Sequence, residues 1–275
     1  MRNTMTRSFC LSTAALLCCA LGAFAQDVNM QLTGVNAGYV MGGVYTSPYS
    51  VSVNGGAAAL LICDDFTTNI PYIGYSWTAV PTDITAILNN TNPAETPKFT
   101  PVELAEYATA AVLAGELLSP TYNPNGFYSE GAGELSYAIW DVFDPALLDP
   151  TNPNFPTSGQ EGYLTSSQLQ AAQQDLISAV NLAVKGAACT NVGCADALLE
   201  SVSAISMINV NNVPDLTVYT PDPTNSSQEF IGIQTSNGNV IGAAEPTYPA
   251  ILALDLLAVV GLIVAFRKRL VGIFN

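Results

Sequence analysis

Two short segments carry residue types that could do chemistry together. Cys63-Asp64-Asp65-Phe66 sets a thiol beside two carboxylates, and Leu135-Ser136-Tyr137-Ala138-Ile139-Trp140 sets a hydroxyl and an indole on one face of a helix. A thiol acts as a nucleophile through its thiolate, but Cys63 reads equally as a small buried hydrophobe and Trp140 as a core anchor. The acids Asp64, Asp65, Asp141, Asp144 and Asp149 offer oxygens of the kind Ca²⁺ takes. They lack EF-hand or nonapeptide spacing, and Asp144-Pro145 and Asp149-Pro150 are equally good turn starts. No metal or other cofactor is assigned. Paired carboxylates could also hydrolyse a glycoside, though no signal selects a pair.

The chain has no histidine, which removes Ser-His-Asp triads, Cys-His dyads and His-ligated zinc. Its basic residues lie mostly at the two ends. Between Asp27 and Phe266 the only cations are Lys98 and Lys185, against 22 acids, a net charge of −20. Such a field repels phosphate backbones, so nucleic acid is excluded as a partner. The spacing of Cys189 and Cys194 suits a disulfide closing a small loop. A redox or metal role would want Cys-x-x-Cys or further ligands. Cys63 is then left unbridged and is expected to be buried.

The elements that must position these residues follow from periodicity. Residues 28–32 alternate, and 39–45 and 49–53 follow as strands, with Asn54-Gly55-Gly56 as a turn. The continuous apolar run 58–63 suits a strand buried on both faces, and 75–80 closes this part. Thr100-Pro101-Val102-Glu103 is a capping box opening a helix lined by Leu104, Ala108, Ala111, Gly115 and Leu118. A second helix is built on Leu135, Ala138, Ile139, Val142 and Phe143 and stops at Asp144-Pro145. A third opens at Thr165-Ser166-Ser167-Gln168, turns Leu169, Ala172, Leu176, Val180 and Val184 inward, and ends before Gly186. Residues 195–210 are ambiguous between helix and strand, and 216–219 and 229–234 read as strands. The class is α+β: a β-rich N-terminal part with inserted helices, plus a C-terminal transmembrane helix.

The ends read as an address. Arg2 and Arg7, an apolar stretch from Phe9 to Leu21 and Ala23-Phe24-Ala25 make residues 1–25 a signal peptide. Residues 26–234 form the exported α+β domain and 235–247 a linker with a sorting motif. Residues 248–269 are a transmembrane helix with a basic stop, and 270–275 a short tail. The 17 apolar-rich residues from Ala250 to Phe266 reach roughly 25 Å as a helix, against a hydrocarbon core of about 30 Å. Asp255 interrupts the span near its outer end. Arg267, Lys268 and Arg269 fit the positive-inside rule.

Two resemblances rest on these residues. The tail Ala244-Glu245-Pro246, the apolar span and Arg267-Lys268-Arg269 resemble the PEP-CTERM sorting signal, with Ala244 at the place of its first proline. That resemblance implies export, recognition by exosortase-type machinery and anchoring in the cytoplasmic membrane. Delivery to the cell surface or extracellular matrix of an exopolysaccharide-producing bacterium would follow. Exopolysaccharide or other surface proteins become candidate partners. The alternative is an ordinary single-pass anchor. The front half, roughly 38–143, resembles the thioester domains of bacterial surface adhesins, in which a cysteine at a strand end bonds to a glutamine in Thr-Gln-x-Ala-Ile-Trp. Cys63 and Ala138-Ile139-Trp140 match, but Leu135 and Ser136 stand for the threonine and glutamine. Serine has no acyl carbon, so Cys63 and Ser136 are degenerate thioester positions. The expectation is a non-catalytic surface module, not an enzyme. A secreted carboxylate-dependent hydrolase is the alternative, favoured by inward acids with shifted pKa in a deep cleft.

Overall fold

A computed structural model of the chain describes residues 27–35, 39–46, 48–89, 97–99, 104–119 and 129–233. The expected signal peptide, the capping box at 100–103, the sorting motif with Glu245 and Pro246, the membrane span and Arg267, Lys268 and Arg269 lie outside these residues. Among the described residues no helix is long and apolar enough to cross a membrane.

Six strands close an antiparallel barrel. They are β1 (Val28–Gly34), β4 (Tyr49–Val53), β5 (Ala58–Cys63), β6 (Ser76–Asp83), β7 (Leu216–Asp222) and β8 (Phe230–Ile233), in the order β1-β4-β5-β8-β7-β6. β1 buries Val28, Met30 and Leu32 and exposes the residues between, the period of a strand with one face in a core. Asn54 and Gly55 both take positive φ, 51° and 71°, in the tight turn from β4 to β5. Closure depends on β7 and β8, which follow the helices in sequence. The β-rich part is therefore not confined to the front of the chain. The helical segment is inserted between two barrel neighbours, β6 and β7.

The insertion carries α1 (Ile84–Asn89), α2 (Leu104–Leu118), α3 (Glu130–Phe143), α4 (Ser166–Ala183) and α5 (Val192–Leu199). Helices α2, α3 and α4 pack against one another, and α5 packs on α4 and α2. Ser129 caps α3, and Thr165 with Gln168 forms the capping box of α4. Apolar residues sort into two cores. Leu61, Cys63, Trp77, Tyr219 and Phe230 fill the barrel, while Ile62, Leu216, Val218 and Ile231 face the helices. The ends of β5, β7 and β8 at this seam are thus buried on both faces, so 61–63 lacks alternation.

Two expectations need correction, and one open reading is resolved. Residues 39–45 form a hairpin, β2 (Val40–Met41) and β3 (Val44–Tyr45), because Gly42 and Gly43 turn the chain at φ 58° and 84°. The run 58–63 is buried on both faces only in its second half. Residues 195–210 hold the end of α5, a 3₁₀ turn at Ile205–Met207 and the start of another at Val210–Asn212, with Ile208 bridged to Val184.

Candidate functional site

The end of β5 delivers Cys63, Asp64 and Asp65 to the seam between barrel and helices. α3 presents Trp140 against it, and the indole Nε1 donates to the carbonyl of Cys63 at 2.9 Å. The two segments singled out in sequence, 77 residues apart at this bond, do meet. Cys63 is fully buried, lies outside any disulfide, and donates its thiol to the Asp65 carbonyl at 3.2 Å. Burial, then the neighbouring Asp65 and Asp64, pushes this thiol well up, away from the thiolate. Ser136, also fully buried, donates its hydroxyl back to the Ala132 carbonyl of its own helix at 2.8 Å.

Asp65 is the most elaborately held group. Its Oδ1 accepts from the Thr67 amide and hydroxyl, both at 2.9 Å, and from the Thr68 amide at 3.1 Å. Its Oδ2 meets Lys98 Nζ, the only ion pair among the described residues. Lys98 donates further to Thr68 Oγ1 and to the Ser227 carbonyl, each at 2.8 Å. Gln228 Nε2 donates to the Asp65 carbonyl at 3.1 Å.

Beside it lies a carboxyl pair. Glu229 Oε1 accepts from Tyr107 at 2.8 Å, and its Oε2 from Thr220 at 2.5 Å and the Lys98 amide at 3.0 Å. Burial raises its pKa, and these donors oppose the rise. Neither oxygen of Asp64 meets an N–H or O–H donor. Burial first, then the Glu229 charge, raises Asp64 well above the carboxylate range. The shift favours the protonated form of Asp64.

A cleft of about 690 Å³ opens over this seam. The β2–β3 hairpin supplies one wall with Gly43, Val44 and Tyr45. The 66–70 loop supplies the other with Phe66, Thr67 and Asn69. Asp65, Trp140 and Gln228 reach it from below, and Asp144 and Glu161 stand on it as further acids. The hairpin is fixed from beneath. Tyr137 donates to the Met41 carbonyl at 3.1 Å, Gly162 to the Gly42 carbonyl at 2.8 Å, and Tyr49 to the Tyr45 carbonyl at 2.6 Å. Inward acids with raised pKa exist, as a hydrolase would want. Asp64 and Glu229, however, are sealed behind the cleft and do not line it.

Asp141 lies on the far side of α3, where its Oδ1 accepts from the Leu148 amide at 2.7 Å. Asp65 and Asp144 thus share the cleft, but Asp64, Asp141 and Asp149 do not line it, and the five acids are not brought together into one set. Among the described residues no group of three or more His, Cys, Asp or Glu is placed to hold a metal ion. Cys189 and Cys194 form the expected disulfide, Cα–Cα 5.4 Å. Lys98, Tyr107, Thr220 and Glu229 were not legible as site residues. The one signal available was the rarity of cations, since a Lys among so many acids must find one.

No protein-family model matches this sequence, and no curated protein is similar to it. Among solved structures the chain is similar to the N-terminal thioester domain of a surface protein from Clostridium perfringens, at 12% identity and TM-score 0.39, over 75% of this chain and 98% of that one. It is also similar to the N-terminal thioester domain of fibronectin-binding protein SfbI from Streptococcus pyogenes, at 15% identity and TM-score 0.37, over 77% and 95%. The N-terminal domain of the pilus tip adhesin Cpa from the same species gives 14%, 0.41, 78% and 95%. Likeness at this level leaves the function to be argued from the residues.

Proposed function

We propose that the chain is an exported, non-catalytic binding or structural module of the cell surface or extracellular matrix, sorted through a PEP-CTERM-like tail. The observation that carries this reading is the order Glu245-Pro246, apolar span, Arg267-Lys268-Arg269 behind an acidic, histidine-free body. Exosortase-type machinery and the cytoplasmic membrane are its partners in transit, and adhesion or biofilm cohesion is its role. The buried node supports the non-catalytic half of the reading. Its thiol is held protonated, and a serine stands where an acyl donor would have to be.

Fractionation of the native cells with intact-mass analysis tests the address. The mature chain should begin at Gln26, and its body should be digested when protease is added to intact spheroplasts. Glu245→Ala with Pro246→Ala should hold the protein at the cytoplasmic membrane. A protected body contradicts export. Undiminished surface delivery of the double variant leaves only an ordinary membrane anchor. The second reading, a carboxylate-dependent hydrolase, is favoured by Asp65, Asp144 and Glu161 sharing one cleft. Release of reducing ends from a glycan by the purified chain would establish it.

A further inference from the structure

We infer that the cleft between the β2–β3 hairpin and the 66–70 loop binds an amino-sugar glycan with free amines. This rests on the reading of the chain as a binding module and names the chemistry of what it binds.

The lining selects the ligand in three ways. Among the described residues its charged groups are all acids, Asp65, Asp144 and Glu161, and no lysine or arginine stands on it. Asp65 is already committed to Lys98, which leaves Asp144 and Glu161 to meet a ligand cation. A uronic acid or phosphorylated glycan would face repulsion from them and from the acidic body. An amine is attracted by both. Second, Tyr45 is 51% exposed on one wall, while its backbone carbonyl is tied down by Tyr49. A ring carried on backbone held in this way, half open to solvent, suits the apolar face of a sugar or a cation above it. Third, Asn69 and Thr67 on the opposite wall offer the side-chain donors and acceptors that hydroxyls need. A cleft of about 690 Å³ lies in the range of small-ligand sites and holds a few sugar rings. A basic peptide shares the charge but brings backbone groups that need partners. The cleft's side-chain hydroxyl, amide and ring groups match hydroxyls and a sugar face better than peptide backbone.

Calorimetric titration of the full mature chain in detergent micelles tests this. The probes are the tetramer of β-1,4-linked glucosamine, its fully N-acetylated counterpart and tetralysine, at mildly acidic pH and moderate salt. The free-amine glycan should bind at least about tenfold more tightly than either of the others, since it alone combines charge with stacking. Tyr45→Ala and Glu161→Gln should each weaken it, by about tenfold and about threefold. Both residues are exposed, so neither change threatens the fold. Equal binding of the acetylated glycan overturns the role of the amine. Equal binding of tetralysine, or indifference to Tyr45→Ala, reduces the effect to bulk charge and overturns the site. Absence of all binding overturns the inference alone, because surface delivery and tail processing are read separately in cells.

Discussion

Buried acids occur on both flanks of helix α3, and they are treated differently. At the barrel seam, Asp65 has a lysine and three other donors and Glu229 has three donors, while Asp64 behind them has a hydrogen bond to neither oxygen among the described residues. On the far flank, Asp141 keeps one oxygen without a donor, and so does Asp196 of α5, with no cation near either among the described residues. Burial, then Asp196, raises Asp141. Burial, then Asp149 and Glu200, pushes Asp196 up to about 7. The residue type is the same on both flanks. What differs is whether a counter-charge was built in. An acid paired as Asp65 is fixes structure, while acids raised by burial, Asp64 at the seam as well as Asp141 and Asp196, make stability depend on pH.

The largest effect should come from removing the cation. Lys98→Met leaves Asp65 buried and uncompensated, and this should cost about 3–5 kcal/mol in urea unfolding. A loss below about 1 kcal/mol would show the pair to be as expendable as a surface salt bridge and would erase the contrast. The acids without a cation should answer to pH instead. Asp196 and Asp175, both pushed up to about 7, hold protons in the folded chain that the unfolded chain releases above about pH 4. The folded state then binds more protons, so stability falls as pH rises between about 4 and about 7. The melting temperature should be higher at about pH 5 than at about pH 8, and Asp196→Asn should flatten that slope. An unchanged slope in the variant would assign the effect elsewhere.

A smaller effect should follow opening of the Cys189–Cys194 loop beside the pH-sensitive flank. In the chain-entropy account the pair Cys189→Ala and Cys194→Ala costs about 2 kcal/mol. A loss equal to that of Lys98→Met would make the loop a second structural node. Smallest is Cys63→Ala, about 1 kcal/mol through lost packing inside the barrel. A loss of several kcal/mol there would mean that the thiol holds the node together.

Much of this was legible because it is periodic. β1, β4, the turn at Asn54-Gly55 and the capping box of α4 follow from alternation and cap chemistry, which are local. The meeting of Cys63 with Trp140 came through motif resemblance rather than from periodicity. Barrel closure was hidden because β5 and β6 pair with β8 and β7, strands far along the chain, and pairing partners leave no mark on single-strand patterns. Glu229 was read as the start of a strand. Nothing local shows that Lys98, Tyr107 and Thr220 converge on it from three other segments. The cleft is likewise a product of how the hairpin docks on α3, which spacing does not encode.

The central claim is that the Cys63–Trp140 node is structural and has no activated acyl group. Methylamine opens thioesters, so incubating the folded chain with it and measuring intact mass addresses the claim directly. The account predicts a mass unchanged by the amine and equal to that of the mature chain with one disulfide, and a Cys63 alkylated only after denaturation. Uptake of one methylamine per folded chain, mapped to a peptide that partners Cys63, would contradict it. That result would make the protein a covalent adhesin instead of a passive module.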